Sequence, residues 1–195
     1  MFNRSTRLIA ATILLSASGA ASAHTGHAVS GWGAGWAHPF SGLDHMLAML
    51  AVGLWAIQGG GRRVWLLPVT FMGMLAAGAS VSMIWQHPLP VLETGIALSV
   101  LALGLLIALS LQLPIWSSMA IAALFGMFHG YAHGLELPES AAPFAYAIGF
   151  LVATAILHLG GIVAGVVMRE KYVMLAKIAG GAIAMSGIGL LAFPS

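Results

Sequence analysis

Six apolar stretches follow one another along this chain, at residues 41–57, 64–85, 91–111, 114–133, 141–168 and 173–193. Each approaches or exceeds the roughly 20 residues that a helix needs to cross the hydrocarbon of a bilayer. The breaks between them are short: Gln58 to Gly61, Gln86 to Pro88, Gln112 to Pro114, Leu137-Pro138 and Arg169 to Lys171. Most carry the Gly and Pro residues that stop helices. Hydrocarbon offers no partner to an unpaired backbone amide, so a chain with this pattern is expected to fold as an all-α integral membrane bundle of six transmembrane helices. Composition agrees, because only 6% of the residues are charged and the mean hydropathy is +0.99, whereas soluble domains carry about 25% charged residues. No length is left for a soluble domain, which excludes nucleic-acid binding and soluble-enzyme chemistry. The absence of cysteine excludes disulfides and thiolate metal sites.

Ahead of the first stretch, Arg4 and Arg7 precede an apolar run and small residues ending in Ala21-Ser22-Ala23. That is the layout of a cleaved signal peptide. The expected division is residues 1–23 as signal peptide and 24–195 as one permease-sized transmembrane domain, with the mature N-terminus outside the cytoplasm. The first and fifth spans then descend and deliver Arg62, Arg63, Arg169, Lys171 and Lys177 to the cytoplasmic side, in accord with the positive-inside rule. Both mature termini fall on the periplasmic side of a bacterial inner membrane. Tryptophans near the span ends, among them Trp32, Trp36, Trp65, Trp85 and Trp116, fit an interfacial belt. Gly126, Gly130 and Gly134, and Gly161 with Gly165, stand at helix-packing spacing.

This topology gathers His38, Asp44, His45, Glu93, His129, His133 and Glu136 in or near the outer half of the membrane. Ionisable groups at that depth are costly and face one another or a wet cavity, so they are functional candidates. His38-Pro39-Phe40-Ser41-Gly42-Leu43-Asp44-His45 opens the first span. Its local reading makes Ser41 a helix N-cap with Asp44 completing a capping box. Its chemical reading presents imidazole and carboxylate to one divalent transition-metal ion. In Phe128 to Glu136, His129 and His133 stand four apart with Glu136 three further on, so one helix face can carry all three. The base of a His-Glu-x-x-His zinc hydrolase is missing, and a hydrolase is not expected.

Bland readings stand beside these. His129 and His133 could be hydrogen-bonded helix glue, and Glu93 could be an interface residue rather than a ligand. His158, alone near the middle of the fifth span, fits an interhelical hydrogen bond and a pathway residue equally. His24 and His27 begin the mature chain, where a free amine beside imidazole would chelate an arriving ion. His87 has no sequence partner.

The stretch His38 to His45 resembles the H-P-x-x-G-x-D-H motif of the HupE/UreJ family, and Phe128 to Glu136 matches its F-H-G-x-A-H-G-x-E signature. The resemblance covers essentially the whole chain. It implies a secondary permease for nickel, or in some members cobalt, with His38, Asp44, His45, Glu93, His133 and Glu136 as the functional set. The residues alone lead to a divalent-metal site whose ligand set suits Ni, Co, Zn, Fe or Mn; the choice of Ni²⁺ as the transported ion, with Co²⁺ or Zn²⁺ as alternatives and no resident cofactor expected, rests on the family.

No Walker-type nucleotide motif is present. A divalent cation entering a negative interior gains about 2 × 2.3 kcal/mol per 100 mV. The two three-span halves would then be inverted relative to each other, as in many transporters, although their sequences show no convincing repeat. Two readings compete with transport: a non-transporting metal sensor or chaperone, or a haem-binding electron carrier, and in a third the histidines form a proton relay.

Overall fold

The computed structural model describes residues 31–137 and 141–193, with the backbone alone for 169–171. The expected signal peptide, His24, His27 and Glu139 lie outside the described residues. Every regular element among those described is helical: α1 (Gly31–Ala37), a 3₁₀ turn (His38–Phe40), α2 (Leu43–Gly59), α3 (Arg63–Trp85), α4 (Leu92–Ala108), α5 (Ile115–Leu135), α6 (Pro143–Lys171) and α7 (Val173–Ala192).

The long helices α2 to α7 fall on the six apolar stretches in order. By length and composition, α3, α5, α6 and α7 can each cross a membrane. A fifth candidate is the pair Gly31–Phe40 and Leu43–Gly59, bent by 78° at a short break. Helix α4 has 17 residues, about 25 Å at 1.5 Å per residue, which is shorter than a typical 30 Å hydrocarbon core.

Three details differ from the sequence-based expectation. Helix α1 is an additional element before the first long helix. Ser41 does not cap α2: its hydroxyl donates to the His38 carbonyl at 2.7 Å, while extended Gly42 is the N-cap without a side-chain bond. The capping-box reading of Asp44 falls with it, and Asp44 Oδ1 instead accepts the adjacent His45 N–H at 2.8 Å. Finally, the basic break at 169–171 is the last turn of α6, and the chain turns at Tyr172.

Glycines decide which helices touch. A Cβ on Gly126, Gly130 or Gly134 would collide with α3 at Phe71, Leu75 or Ala79, so α5 and α3 pack side by side and parallel with nearly touching backbones. Gly53 and Gly161 do the same for α2 against α6, and Gly104, Gly180 and Gly187 for α4 against α7. Small residues allow this approach where apolar burial gives no drive between helices. The most extensive pairings of the long helices are α3 with α5, α4 with α7 and α2 with α6. Exchanging α2, α3 and α4 for α5, α6 and α7 leaves this set of pairs unchanged, as an inverted repeat requires.

Helix direction sorts the charges. Asp44, Glu93 and Glu136 stand at one end of the bundle, and Arg62, Arg63 and Lys177 at the other. Arg63 donates to the Gly59 carbonyl at 3.0 Å and to the Leu113 carbonyl at 2.7 Å, tying the end of α2 to the α4–α5 loop. Trp65, Trp85 and Trp116 are exposed near helix ends, with Trp32 and Trp36 stacked on α1; Trp55 instead lies in the core.

Candidate metal centre

The site is assembled where the bend before α2 meets the end of α5. Pro39 in the 3₁₀ turn and the short Ser41-Gly42 break swing His38 back over the start of α2. Close approach of Gly35 to Tyr146 and of Gly149 to Trp32 holds α1 against α6 and fixes the bend. On α5, the four-residue spacing places His129 and His133 on one face, and the helix ends at Leu135 so that Glu136 turns back as its C-cap.

Two groups with metal-ligand geometry result, sharing His133. In the inner one, His45, His129 and His133 are all buried and their ligand atoms lie within 4.8 Å of one another. That approaches the span an ion with bonds of about 2.1 Å can bridge. In the outer one, His38, His133 and Glu136 meet the same limit, with Glu136 exposed.

Hydrogen bonds fix most of the tautomers. Glu136 Oε2 accepts from His38 Nε2 at 2.9 Å and from His133 Nδ1 at 3.3 Å. His133 Nε2 is therefore a buried lone pair, and it has no hydrogen-bond partner. Ser99 Oγ donates to the Ile96 carbonyl at 2.7 Å, so it accepts from His129 Nε2 at 2.8 Å. His129 Nδ1 is then the acceptor in its 2.8 Å contact with His45 Nδ1. A backbone carbonyl thus orients a hydroxyl, which orients an imidazole, the usual outer support of a metal-binding histidine.

The bonds from His133 and then His38 hold the Glu136 carboxyl well below the ordinary carboxylate range, outweighing partial burial. It is ionised and accepts only.

Asp44 and Glu93 do not join either cluster. Both line a cavity of about 270 Å³ with His38, Ser41, Gly42, His45 and Glu136, which gives the mouth of the site an acidic wall. His87 contributes its carbonyl to Tyr131 Oη at 2.7 Å.

Sequence reasoning missed the groups that frame the histidines. Ser99, on the apolar stretch of α4, was detectable as a hydroxyl inside a span. The ring of Phe150 packs at 4.3 Å from the His133 ring, Tyr146 at 5.9 Å from His38, and Phe71 at 5.6 Å from His129. Such rings read as ordinary core in a sequence.

The sequence pattern of the family described as HupE / UreJ protein matches residues 12–190. The chain belongs to the HupE/UreJ family. Protein HupE of Rhizobium leguminosarum bv. viciae is 44% identical over 172 residues, covering 88% of this chain and 90% of that protein. No solved structure matches this chain. Both HupE/UreJ signature stretches lie at the assembled site, the first supplying His38, Asp44 and His45 and the second His129, His133 and Glu136.

Proposed function

We propose that this HupE/UreJ protein is a six-span permease for a divalent transition-metal ion, with nickel as its substrate and cobalt as the alternative cargo. The observation that carries this reading is the buried His45, His129 and His133 cluster reached from an acid-lined mouth. Asp44, Glu93 and Glu136 attract the hydrated cation, His38 and Glu136 take it in exchange for water, and the three buried imidazoles complete its dehydration. Neutral imidazole suits Ni²⁺ and its neighbours in the first transition row, whereas Mg²⁺ and Ca²⁺ prefer oxygen. Ligation needs neutral histidine, the state that the hydrogen bonds give His129 and His133.

The orientation follows from the separation of charge along the bundle. With Arg62, Arg63 and Lys177 facing the cytoplasm, the site opens outward on a bacterial inner membrane. The membrane potential then pulls the cation inward. His24 and His27 are assigned to capture at the entrance.

The test is uptake of radioactive Ni²⁺ into proteoliposomes, with Co²⁺ and Zn²⁺ as competitors, beside a His38→Ala, Asp44→Asn double variant. Saturable uptake lost in the variant supports the permease. Tight binding without flux in either protein supports a sensor or chaperone instead.

A further inference from the structure

Below the described cluster the bundle holds a fourth buried histidine that the family signatures leave out. His158 lies on α6 at 1% exposure, and its Nδ1 is 2.7 Å from the Met49 carbonyl of α2. A carbonyl only accepts, so Nδ1 carries the proton and Nε2 is a lone pair. That Nε2 is buried and has no hydrogen-bond partner. One turn earlier on the same face, Thr154 Oγ1 is also buried and without a partner. Two unpartnered polar atoms four residues apart on a helix are neighbours. Buried polar groups are normally satisfied, and each exception calls for an explanation.

An α2–α6 tether does not supply that explanation. The two helices are already in backbone contact at Gly53, whose Cβ would strike the His158 carbonyl, and at Gly161 against Leu50. A tether would use Nδ1 and gain nothing from a dry Nε2. An imidazole whose N–H is held by a backbone carbonyl while its other nitrogen faces an interior is instead the usual preparation of a metal ligand.

Position supports the same conclusion. The fully buried ring of Phe71 contacts both histidines, with 5.6 Å between ring centres to His129 and 5.3 Å to His158. Tyr146, Phe150, Thr154 and His158 recur every fourth residue on α6, and the first two line the outer site. One helix face therefore runs from the mouth past the cluster to His158.

We propose that His158 Nε2, assisted by Thr154 Oγ1, is a second and transient binding station for the divalent ion, next to the His45, His129 and His133 cluster through their common neighbour Phe71. The proposal rests on the permease reading. Turning of the Phe71 ring opens the way, and the ion exchanges imidazoles of the cluster for one imidazole, one hydroxyl and water. Fewer nitrogen ligands make this station weaker than the cluster, which favours onward release.

Asn in place of His158 retains an N–H for the Met49 carbonyl and removes the ligand nitrogen, and Val in place of Thr154 retains the shape. The full-length protein and its His158→Asn, Thr154→Val and His158→Ala variants are compared by Ni²⁺ equilibrium binding in detergent and by Ni²⁺ flux in proteoliposomes. The expected result is equilibrium binding little changed from the parent for His158→Asn and Thr154→Val, since the three imidazoles of the cluster set the affinity and the weaker station adds little to it. Flux falls about tenfold or more in His158→Asn, the scale of losing a metal-site partner, and falls to a smaller extent in Thr154→Val. Parental flux in His158→Asn overturns the station and leaves His158 as a tether. Loss of binding together with flux in His158→Asn also overturns it. A parent protein with no flux at all removes the permease reading and the station with it, an outcome distinct from both.

Discussion

His45 Nδ1 and His129 Nδ1 lie 2.8 Å apart, so a single proton is shared between two buried imidazoles from different helices. On its other side His129 donates its Nε2–H to Ser99 Oγ, which leaves Nδ1 as an acceptor and His45 to give this proton. A metal ion bound to His129 Nδ1 must displace that hydrogen bond, and His45 must change tautomer or turn. The site is thus held closed by a proton whose place a bound metal ion would take.

Ser99→Ala removes the group that orients His129 while fitting the same buried space. Loss of such an outer partner costs about 10–100-fold in metal affinity. Titration of the purified variant with Ni²⁺ checks this, and an unchanged affinity would show that His129 is not held by Ser99.

Glu136 gives a pH-dependent stability with a defined sign. Its folded-state value lies below its ordinary value of 4.5 because two imidazoles donate to it. A lowered value means stabilisation that is fully present above pH 4.5 and is lost as the pH falls through the folded-state value. The side chain is 47% exposed, so solvent screening keeps the contribution at about 1 kcal/mol or less. Glu136→Gln is expected to lower the melting midpoint by about 2 °C at pH 7, with the gap closing toward pH 3, as read by thermal scans in detergent.

Gly130 and Gly73 separate close packing from helix propensity. A Cβ at Gly130 runs into the Leu75 carbonyl, whereas none of the neighbouring atoms comes within 4 Å of one at Gly73. Gly130→Ala should cost about 1–3 kcal/mol by overpacking. Gly73→Ala should be neutral or raise stability by about 0.5–1 kcal/mol. Thermal shift of the two variants side by side decides it.

Arg63→Ala frees the Gly59 and Leu113 carbonyls at the end of the bundle away from the histidines. Bonds from a charged donor contribute about 1.5–3 kcal/mol each, with these part-buried ones at the low end. Lower thermal stability with unchanged Ni²⁺ binding is expected, and a loss of binding would mean that this end is coupled to the site.

The residues determined the fold class because hydrocarbon leaves a backbone little choice: apolar stretches of this length must be helices, and Gly and Pro mark their ends. They also determined the candidates at the site, since imidazoles and carboxylates are costly in an apolar interior and stand out there. The i,i+4 spacing of His129 and His133 was legible for the same reason, as helix geometry is local.

Tertiary structure decided how these groups are divided. A sequence places His38, His45 and His133 at one depth, but only the bend before α2 turns His38 toward Glu136 and leaves His45 with His129. It also separates Asp44 and Glu93, at the mouth, from the buried cluster. Ser99, Phe71 and Phe150 join the site through helix pairings set by glycines far along the chain. Periodicity encodes which face a residue occupies; which face it meets depends on close approach between helices, and that exists only in the packed bundle.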